Sequence, residues 1–289
     1  MQLTRRDALR TLAGAATLAA AGGTRARSAA ADAAPPPLPG AIRQSVCRWC
    51  YAHIPLEQLA RAAREIGLVS VELLDPPDWP VVKHFGLTCA MANGVTKITD
   101  GFNRLENHAR YVPGMIERIS ACAAAGLPNV ICFSGNRRGL ADDQGLDNCV
   151  TGLKQIAGAA EKHGVTVCLE LLNSRFNHQD YMCDHTAWGV EVVKRVGSER
   201  VKLLYDIYHM QIMEGDVIRT IQDNHAWIAH YHTGGVPGRH EIDGTQELYY
   251  PAIMRAIKAT GYTGFVGQEF LPLRDPLSSL RAGVEICNV

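Results

Sequence analysis

Several absences narrow the class of protein before any motif is considered. After the first thirty residues, no segment reaches the ~18 uninterrupted apolar residues of a membrane-spanning helix. Lysine and arginine form no cluster, so the chain lacks the basic surface by which nucleic-acid-binding proteins hold phosphates. No strand-like run is followed by Gly-x-Gly-x-x-Gly, which weakens a doubly wound dinucleotide-binding sheet as the alternative architecture. A globular domain with a small-molecule partner remains.

The first residues predict an export signal. Arg5 and Arg6 precede an apolar run, 11–21, that is too short to span a bilayer, and small residues follow at 28–31. Residues 1–31 therefore resemble a twin-arginine signal peptide, with a periplasmic location expected for the mature protein, although an amphipathic N-terminal helix of that protein is the alternative. An Ala/Pro linker at 32–40 would lead into a domain at 41–289.

Removing this signal changes the charge balance. Residues 1–31 hold five arginines and one aspartate, so Lys+Arg falls from 29 to 24 and Asp+Glu from 29 to 28. The mature chain then carries about four net negative charges, which disfavours a polyanionic partner such as DNA. The full 289-residue sequence is 47% hydrophobic, which is ordinary for a globular protein.

The nine cysteines predict buried thiols more than a disulfide framework. Cys89, Cys132 and Cys168 lie inside apolar strand-like runs, where a thiol acts as a small hydrophobic group. Cys47 and Cys50 form a single Cys-x-x-Cys pair, which could be redox-active or form a disulfide in an oxidising compartment. With no second pair, this motif is weak evidence for zinc.

A repeated unit predicts the fold. An amphipathic helix, a glycine and a short apolar strand follow one another several times, and the glycine supplies the left-handed backbone that ends a helix. The strands are continuous apolar runs, as in parallel sheets covered by helices. Eight strands are predicted near 42–47, 70–74, 87–91, 129–133, 165–171, 201–205, 228–233 and 264–270. Alternating with helices, they predict a single α/β domain, a (β/α)8 TIM barrel.

Polar residues end four of these predicted strands. Glu170, Asp206, His232 and Glu269 each follow or interrupt an apolar run. In such a barrel the carboxyl ends of the strands meet at one mouth, which is where active sites lie. Three carboxylates and an imidazole at one point would repel one another without a cation. The sequence therefore predicts a divalent metal site, and its mostly oxygen ligands favour Mg²⁺ or Mn²⁺ over Zn²⁺.

The segment 205–215, Tyr-Asp-Ile-Tyr-His-Met-Gln-Ile-Met-Glu-Gly, resembles the corresponding stretch of hydroxypyruvate isomerases. Together with the strand-end residues, it makes residues from about 42 to 270 similar to the xylose-isomerase-like superfamily of sugar isomerases and epimerases. The resemblance implies a metal held by the four residues above and an acid/base pair of Glu170 and Glu269. It further implies that His209 binds a substrate oxygen.

One position departs from hydroxypyruvate isomerases. His232 stands where they typically have glutamine and where ketose 3-epimerases have histidine. Arg239, in the loop after the same strand, is expected to bind a substrate carboxylate or hydroxyl, or else to be a solvated loop residue. His53 and Trp49 follow the first strand and are further candidates for the pocket wall. His230 is expected to be packed or to support the ligands from behind.

The favoured function is a metal-dependent isomerase of hydroxypyruvate-like compounds, acting through an enediolate. The alternatives are a ketose 3-epimerase or keto-sugar enzyme acting on periplasmic sugars, and a non-catalytic sugar-binding barrel. The apurinic endonuclease relatives of this barrel are disfavoured because they need more histidines and a basic DNA groove. Helix 184–196 could form a dimer face.

Overall fold

Seven parallel strands form the framework of the computed structural model, which describes residues 42–289. They are β1 (Arg43–Cys47), β2 (Ser70–Glu72), β3 (Asn129–Cys132), β4 (Thr166–Leu171), β5 (Val201–Asp206), β6 (Ile228–Thr233) and β7 (Phe265–Gln268). Their order in the sheet is β2-β1-β7-β6-β5-β4-β3. The predicted export signal and linker, 1–40, lie outside the described residues.

The eighth predicted strand is present as an extended segment, 88–92, between β2 and β3. It is joined to β2 by parallel bridges at Ser70–Thr88 and Leu74–Ala92, and to β3 by a bridge at Ala92–Val130. Amide-to-carbonyl hydrogen bonds from Ala92 to Asn129 (3.0 Å) and from Ile131 to Ala92 (3.0 Å) complete the ring. The predicted TIM barrel is confirmed, with its eighth strand held by isolated bridges.

Helices cover the outside of the barrel. They are α1 (Leu56–Ile66), α2 (Trp79–His84), α3 (Leu105–Ala125), α4 (Asp142–His163), α5 (Thr186–Val196), α6 (Ile207–Met213), α7 (Val217–Asn224), α8 (Tyr250–Ala259) and α9 (Pro276–Cys287). Short 3₁₀ turns occupy Arg48–Tyr51, Pro76–Asp78 and His225–Trp227. No helix within residues 42–289 is both long and apolar enough to cross a membrane.

The helix ends agree with the glycine pattern, whereas the beginnings of two helices differ from those that the apolar spacing predicts. Gly67 and Gly164 end α1 and α4 in the left-handed conformation, at φ 98° and 68°. The apolar period in the sequence predicts helices over 115–125 and 153–163, but α3 and α4 begin about ten residues earlier. Apolar spacing does not reveal these beginnings. Pro113 lies inside α3, where proline usually ends a helix, and the first turn of α4 is polar.

The strands are buried from both sides, which explains their continuous apolar sequence. Every residue of β4 and β5 is buried, including the predicted site acids Glu170 and Asp206. All nine cysteines are buried and unpaired, so Cys47 and Cys50 form no disulfide in this structure. Because all strands are parallel, their carboxyl ends open at one mouth, and the candidate site lies there.

Candidate functional site

Four side chains from neighbouring strands converge at the barrel mouth. Glu170 comes from β4, Asp206 from the end of β5, His232 from β6, and Glu269 directly follows β7. All four are buried, and one ligand atom from each lies within 4.8 Å of the others. The structure therefore brings together the four residues that the sequence singled out as a metal-binding set.

The imidazole of His232 lies between two of the acids. Its Nδ1 is 2.6 Å from Glu269 Oε2 and 3.4 Å from Glu170 Oε1. Among the residues that the structure describes, however, this buried nitrogen has no partner with hydrogen-bond geometry. An unpartnered imidazole nitrogen among buried carboxylates is the arrangement that a divalent cation would satisfy, so this donor set fits a metal ion.

Arg239 supplies the positive charge beside these acids. Its Nη2 donates to Asp206 Oδ2 at 2.7 Å and also to Glu269 Oε2, while Nε donates to the backbone oxygen of Glu269 at 3.1 Å. The guanidinium stacks over the rings of Trp49 (5.4 Å) and Tyr208 (5.0 Å). Arg239 is buried, so its prediction as a pocket residue, rather than a solvated loop residue, agrees with its position.

A buried carboxylate holds the loop that carries Arg239. The side chain of Glu241 accepts hydrogen bonds from the amides of Leu273 (3.0 Å) and Arg274 (3.1 Å) and from the hydroxyl of Ser279 (2.8 Å). These contacts tie the loop after β6 to the segment between β7 and α9. The position of Arg239, at a left-handed φ of 60°, is thereby fixed from outside the pocket.

Burial and charge give the acids unequal affinities for protons. Burial raises the pKa of Glu170, and it raises the pKa of Asp206 to about 7 although Arg239 opposes this shift. Burial also acts on Glu269, but Arg239 and His232 outweigh it and hold the pKa of Glu269 well below its ordinary value. Of the three acids, Glu269 is the one that most strongly favours the ionised form.

His209 belongs to the same network. It is the third residue after Asp206, whose side chain caps α6 by accepting from the His209 amide at 3.1 Å. Arg239 Nη1 donates to His209 Nε2, and the Asn173 amide nitrogen lies 2.6 Å from Nδ1. Burial and the charge of Arg239 hold the pKa of His209 well below its usual range, so the ring is a neutral group at the pocket wall.

Above these residues lies a pocket of about 510 Å³. It is lined by Glu170, Glu269, His209, Arg239, Trp49 and by residues that the sequence did not single out, among them Asn93, Asn177 and His178. Trp49 is more than an apolar wall, because its indole N–H donates to Glu269 Oε1 at 2.6 Å. His53 does not line this pocket, and its side chain is exposed.

The residues that sequence reasoning missed fall into two groups, one that lines the pocket and one that lies beneath it. Asn177 and His178 lie in the loop after β4, where their positions give no periodic signal. Glu72 ends β2 beneath the site and is fully buried beside His230 and His232. Glu72 could have been predicted as a site residue from the sequence, because it is an acid within an apolar run, as Glu170 is. His230 is packed beneath the candidate metal ligands, as the sequence analysis predicted.

A parallel barrel with buried acids and an imidazole at its mouth defines a TIM barrel with a candidate metal site. The chain belongs to the xylose isomerase-like TIM barrel family, whose family model matches residues 48–286. Hydroxypyruvate isomerase from Escherichia coli (strain K12) is 26% identical over 231 residues, which cover 76% of this chain and 89% of that protein. The predicted family and fold are therefore confirmed.

Two further comparisons show the range of relatives. 2-Oxo-tetronate isomerase from Cupriavidus necator is 39% identical over 116 residues, which cover 40% of this chain and 44% of that protein. The crystal structure of an AP endonuclease, family 2, from Brucella melitensis superposes with a TM-score of 0.75 at 27% identity, covering 84% of this chain and 99% of that chain. The prediction of an isomerase is confirmed at the level of enzyme class by the curated relatives.

Proposed function

We propose that this protein is an isomerase that moves a proton between adjacent carbons of a small hydroxy-carbonyl substrate of the hydroxypyruvate kind. The observation that carries the proposal is the placement of Glu170 and Glu269. They reach one pocket from β4 and from the end of β7, with Asp206 and His232 from the two intervening strands below them. Two carboxylates at one substrate site are what proton removal and return require.

Glu170 and Glu269 are the acid/base pair of this proposal, because both carboxylates line the pocket and arrive from different strands. One removes the proton from carbon, and the other, or the same one, returns it at the neighbouring carbon. Trp49 and Arg239 both contact the Glu269 carboxylate and orient it toward the pocket. Arg239 then offers donor groups to the substrate oxygens, and His209 supports its guanidinium by accepting from Nη1.

Glu170, Asp206, His232 and Glu269 would hold a divalent ion, for which their oxygen-rich set favours Mg²⁺ or Mn²⁺. When bound, such an ion polarises the substrate carbonyl and its neighbouring hydroxyl, which acidifies the C–H bond between them and stabilises the enediolate. Three buried acidic groups beside the substrate also disfavour a nucleic-acid phosphate at this mouth.

The test follows hydrogen exchange at the substrate carbons. The purified protein is stripped with chelator, reloaded with Mn²⁺ or Mg²⁺, and incubated in D₂O with hydroxypyruvate, tartronate semialdehyde and a panel of ketoses. NMR should show metal-dependent deuterium incorporation at one carbon, lost in Glu170→Gln and in Glu269→Gln. If the metal and the compounds bind but nothing exchanges, the non-catalytic sugar-binding barrel replaces the isomerase.

A second candidate is an epimerase or isomerase of larger keto-sugars. The pocket volume of about 510 Å³ lies within the ~300–1,000 Å³ that is usual for ligand pockets, which leaves room for a substrate larger than a three-carbon acid. The side of the pocket nearest β2 and β3 is apolar and is formed by Leu73, Ile98, Ile131 and Phe133. Exchange of a ketose but not of hydroxypyruvate in the same panel would select this candidate.

We further propose that the mature enzyme acts in the periplasm, as the paired arginines at 5 and 6 indicate. Cell fractionation of the full chain should find the protein in the periplasm. Changing both Arg5 and Arg6 to lysine should retain it in the cytoplasm. A wild-type chain found only in the cytoplasm would contradict this location without affecting the proposed reaction.

A further inference from the structure

A second buried acid lies beneath the four candidate ligands. Glu72, at the end of β2, directs Oε1 toward two imidazoles of β6, at 2.8 Å from Nε2 of His230 and 2.8 Å from Nε2 of His232. Both distances are ordinary for N–H···O hydrogen bonds. A carboxylate without a proton can only accept, so each imidazole must carry hydrogen on Nε2.

This hydrogen bond determines what His232 presents to the site. With hydrogen on Nε2, a neutral His232 directs the lone pair of Nδ1 toward Glu170 and Glu269, which lie 3.4 and 2.6 Å away. In this orientation Nδ1 faces carboxylate oxygens, against which it holds either a proton or a metal ion. It is also the orientation in which an imidazole binds a metal ion through Nδ1.

The barrel leaves a space for this contact. β1 and β7 lie between β2 and β6, so the Glu72 side chain must cross in front of both strands. At the level of the contact, β7 has Gly267, which is paired in register with His232. A Cβ at Gly267 would lie 2.4 Å from Glu72 Oε1 and 2.8 Å from His232 Cδ2. Any larger residue at this position would therefore push Glu72 away from His232.

We propose that Glu72 is a positioning residue that fixes the tautomer and ring orientation of His232 for metal binding. His230 is the second donor that holds the Glu72 carboxylate in place. The inference rests on the metal dependence within the proposed function. Carboxylate–histidine–metal arrangements of this kind raise the basicity of the ligating nitrogen, and losing the carboxylate typically weakens metal binding about 10- to 100-fold.

Metal binding itself is the measurement, so no substrate is needed. Apo wild-type protein and Glu72→Gln are titrated with Mn²⁺, with free Mn²⁺ followed by electron paramagnetic resonance. The matched control is Ser70→Ala, because Ser70 is a buried polar residue of the same strand and face whose hydroxyl contacts Ser45 and the Ala90 amide but not His232. Glu72→Gln should raise the Kd for Mn²⁺ about 10- to 100-fold, and Ser70→Ala should leave it unchanged.

A spectroscopic signature separates positioning from general damage to the core. In Co²⁺-loaded wild-type protein, the Nε2 proton of His232 should give one strongly shifted proton resonance that disappears in D₂O. This resonance should exchange faster or vanish in Glu72→Gln and persist in Ser70→Ala. Should Glu72→Gln fail to fold, Glu72→Asp gives an independent test, because it keeps the charge but withdraws the carboxylate from Nε2 of His232.

The outcomes distinguish this inference from the proposed reaction. Equal Mn²⁺ affinity and an unchanged resonance in Glu72→Gln would overturn the role of Glu72 alone. Two Mn²⁺ ions bound per wild-type chain, with one lost in Glu72→Gln, would instead make Glu72, His230 and His232 a second metal site. A wild-type chain that binds no divalent metal would overturn both this inference and the metal dependence of the reaction.

Discussion

Glu241 provides a sharp test of the structure outside the catalytic pocket. Burial raises the pKa of Glu241, but hydrogen bonds from backbone amides, Ser279 and Arg274 outweigh burial and lower it from 4.5 to about 2. A group whose folded pKa is depressed stabilises the fold above its unfolded pKa, and this stability is lost as the pH falls through the folded value. The shift from 4.5 to about 2 corresponds to about 3 kcal/mol at pH 7.

The perturbation is Glu241→Gln, which keeps the shape of the side chain and removes its charge. Urea unfolding at pH 7 should show the variant less stable than wild type by up to about 3 kcal/mol, since the amide oxygen still accepts some of the hydrogen bonds. At pH 3 the difference should shrink by about 2 kcal/mol, because the wild-type carboxylate has then lost most of its advantage. A gap that is the same at both pH values would refute the reasoning.

Three simpler outcomes are also expected. In α4, Gly152→Ala should lower the free energy of unfolding by about 1–3 kcal/mol, because its Cβ would lie 2.6 Å from the Phe102 ring. Gly158→Ala, in the same helix and with open space around it, should raise stability by up to about 1 kcal/mol, and thermal unfolding compares the two. His53→Ala should leave substrate exchange unchanged, because His53 is exposed and lies outside the pocket; a large loss of rate would place it at the substrate. A thiol reagent should label the nine buried cysteines rapidly only after denaturation, and fast labelling of the native protein would contradict their burial.

The arrangement of Arg239 has a consequence for metal loading. Its guanidinium bonds to Asp206 and Glu269, two of the four proposed metal ligands. A divalent ion would therefore compete with Arg239 for the same carboxylate oxygens.

The barrel and the acids at its mouth can be predicted from the linear sequence. Parallel strands buried on both faces must be apolar throughout, so Glu170 and Asp206 are conspicuous in the linear sequence. The glycines after the helices mark their ends because only glycine readily adopts the left-handed conformation there. Helix beginnings are marked less clearly in the sequence. The apolar spacing therefore underestimates the lengths of α3 and α4.

Contacts between residues far apart in the sequence depend on the tertiary structure. Glu72 and His232 are 160 positions apart, and their contact depends on the order of strands in the sheet and on the missing side chain at Gly267. Arg239 reaches the site because its loop is held in place by hydrogen bonds from the segment after β7 to the Glu241 carboxylate. Apolar periodicity reports which face of an element is buried, but it carries no information on which buried polar groups become hydrogen-bond partners across the barrel.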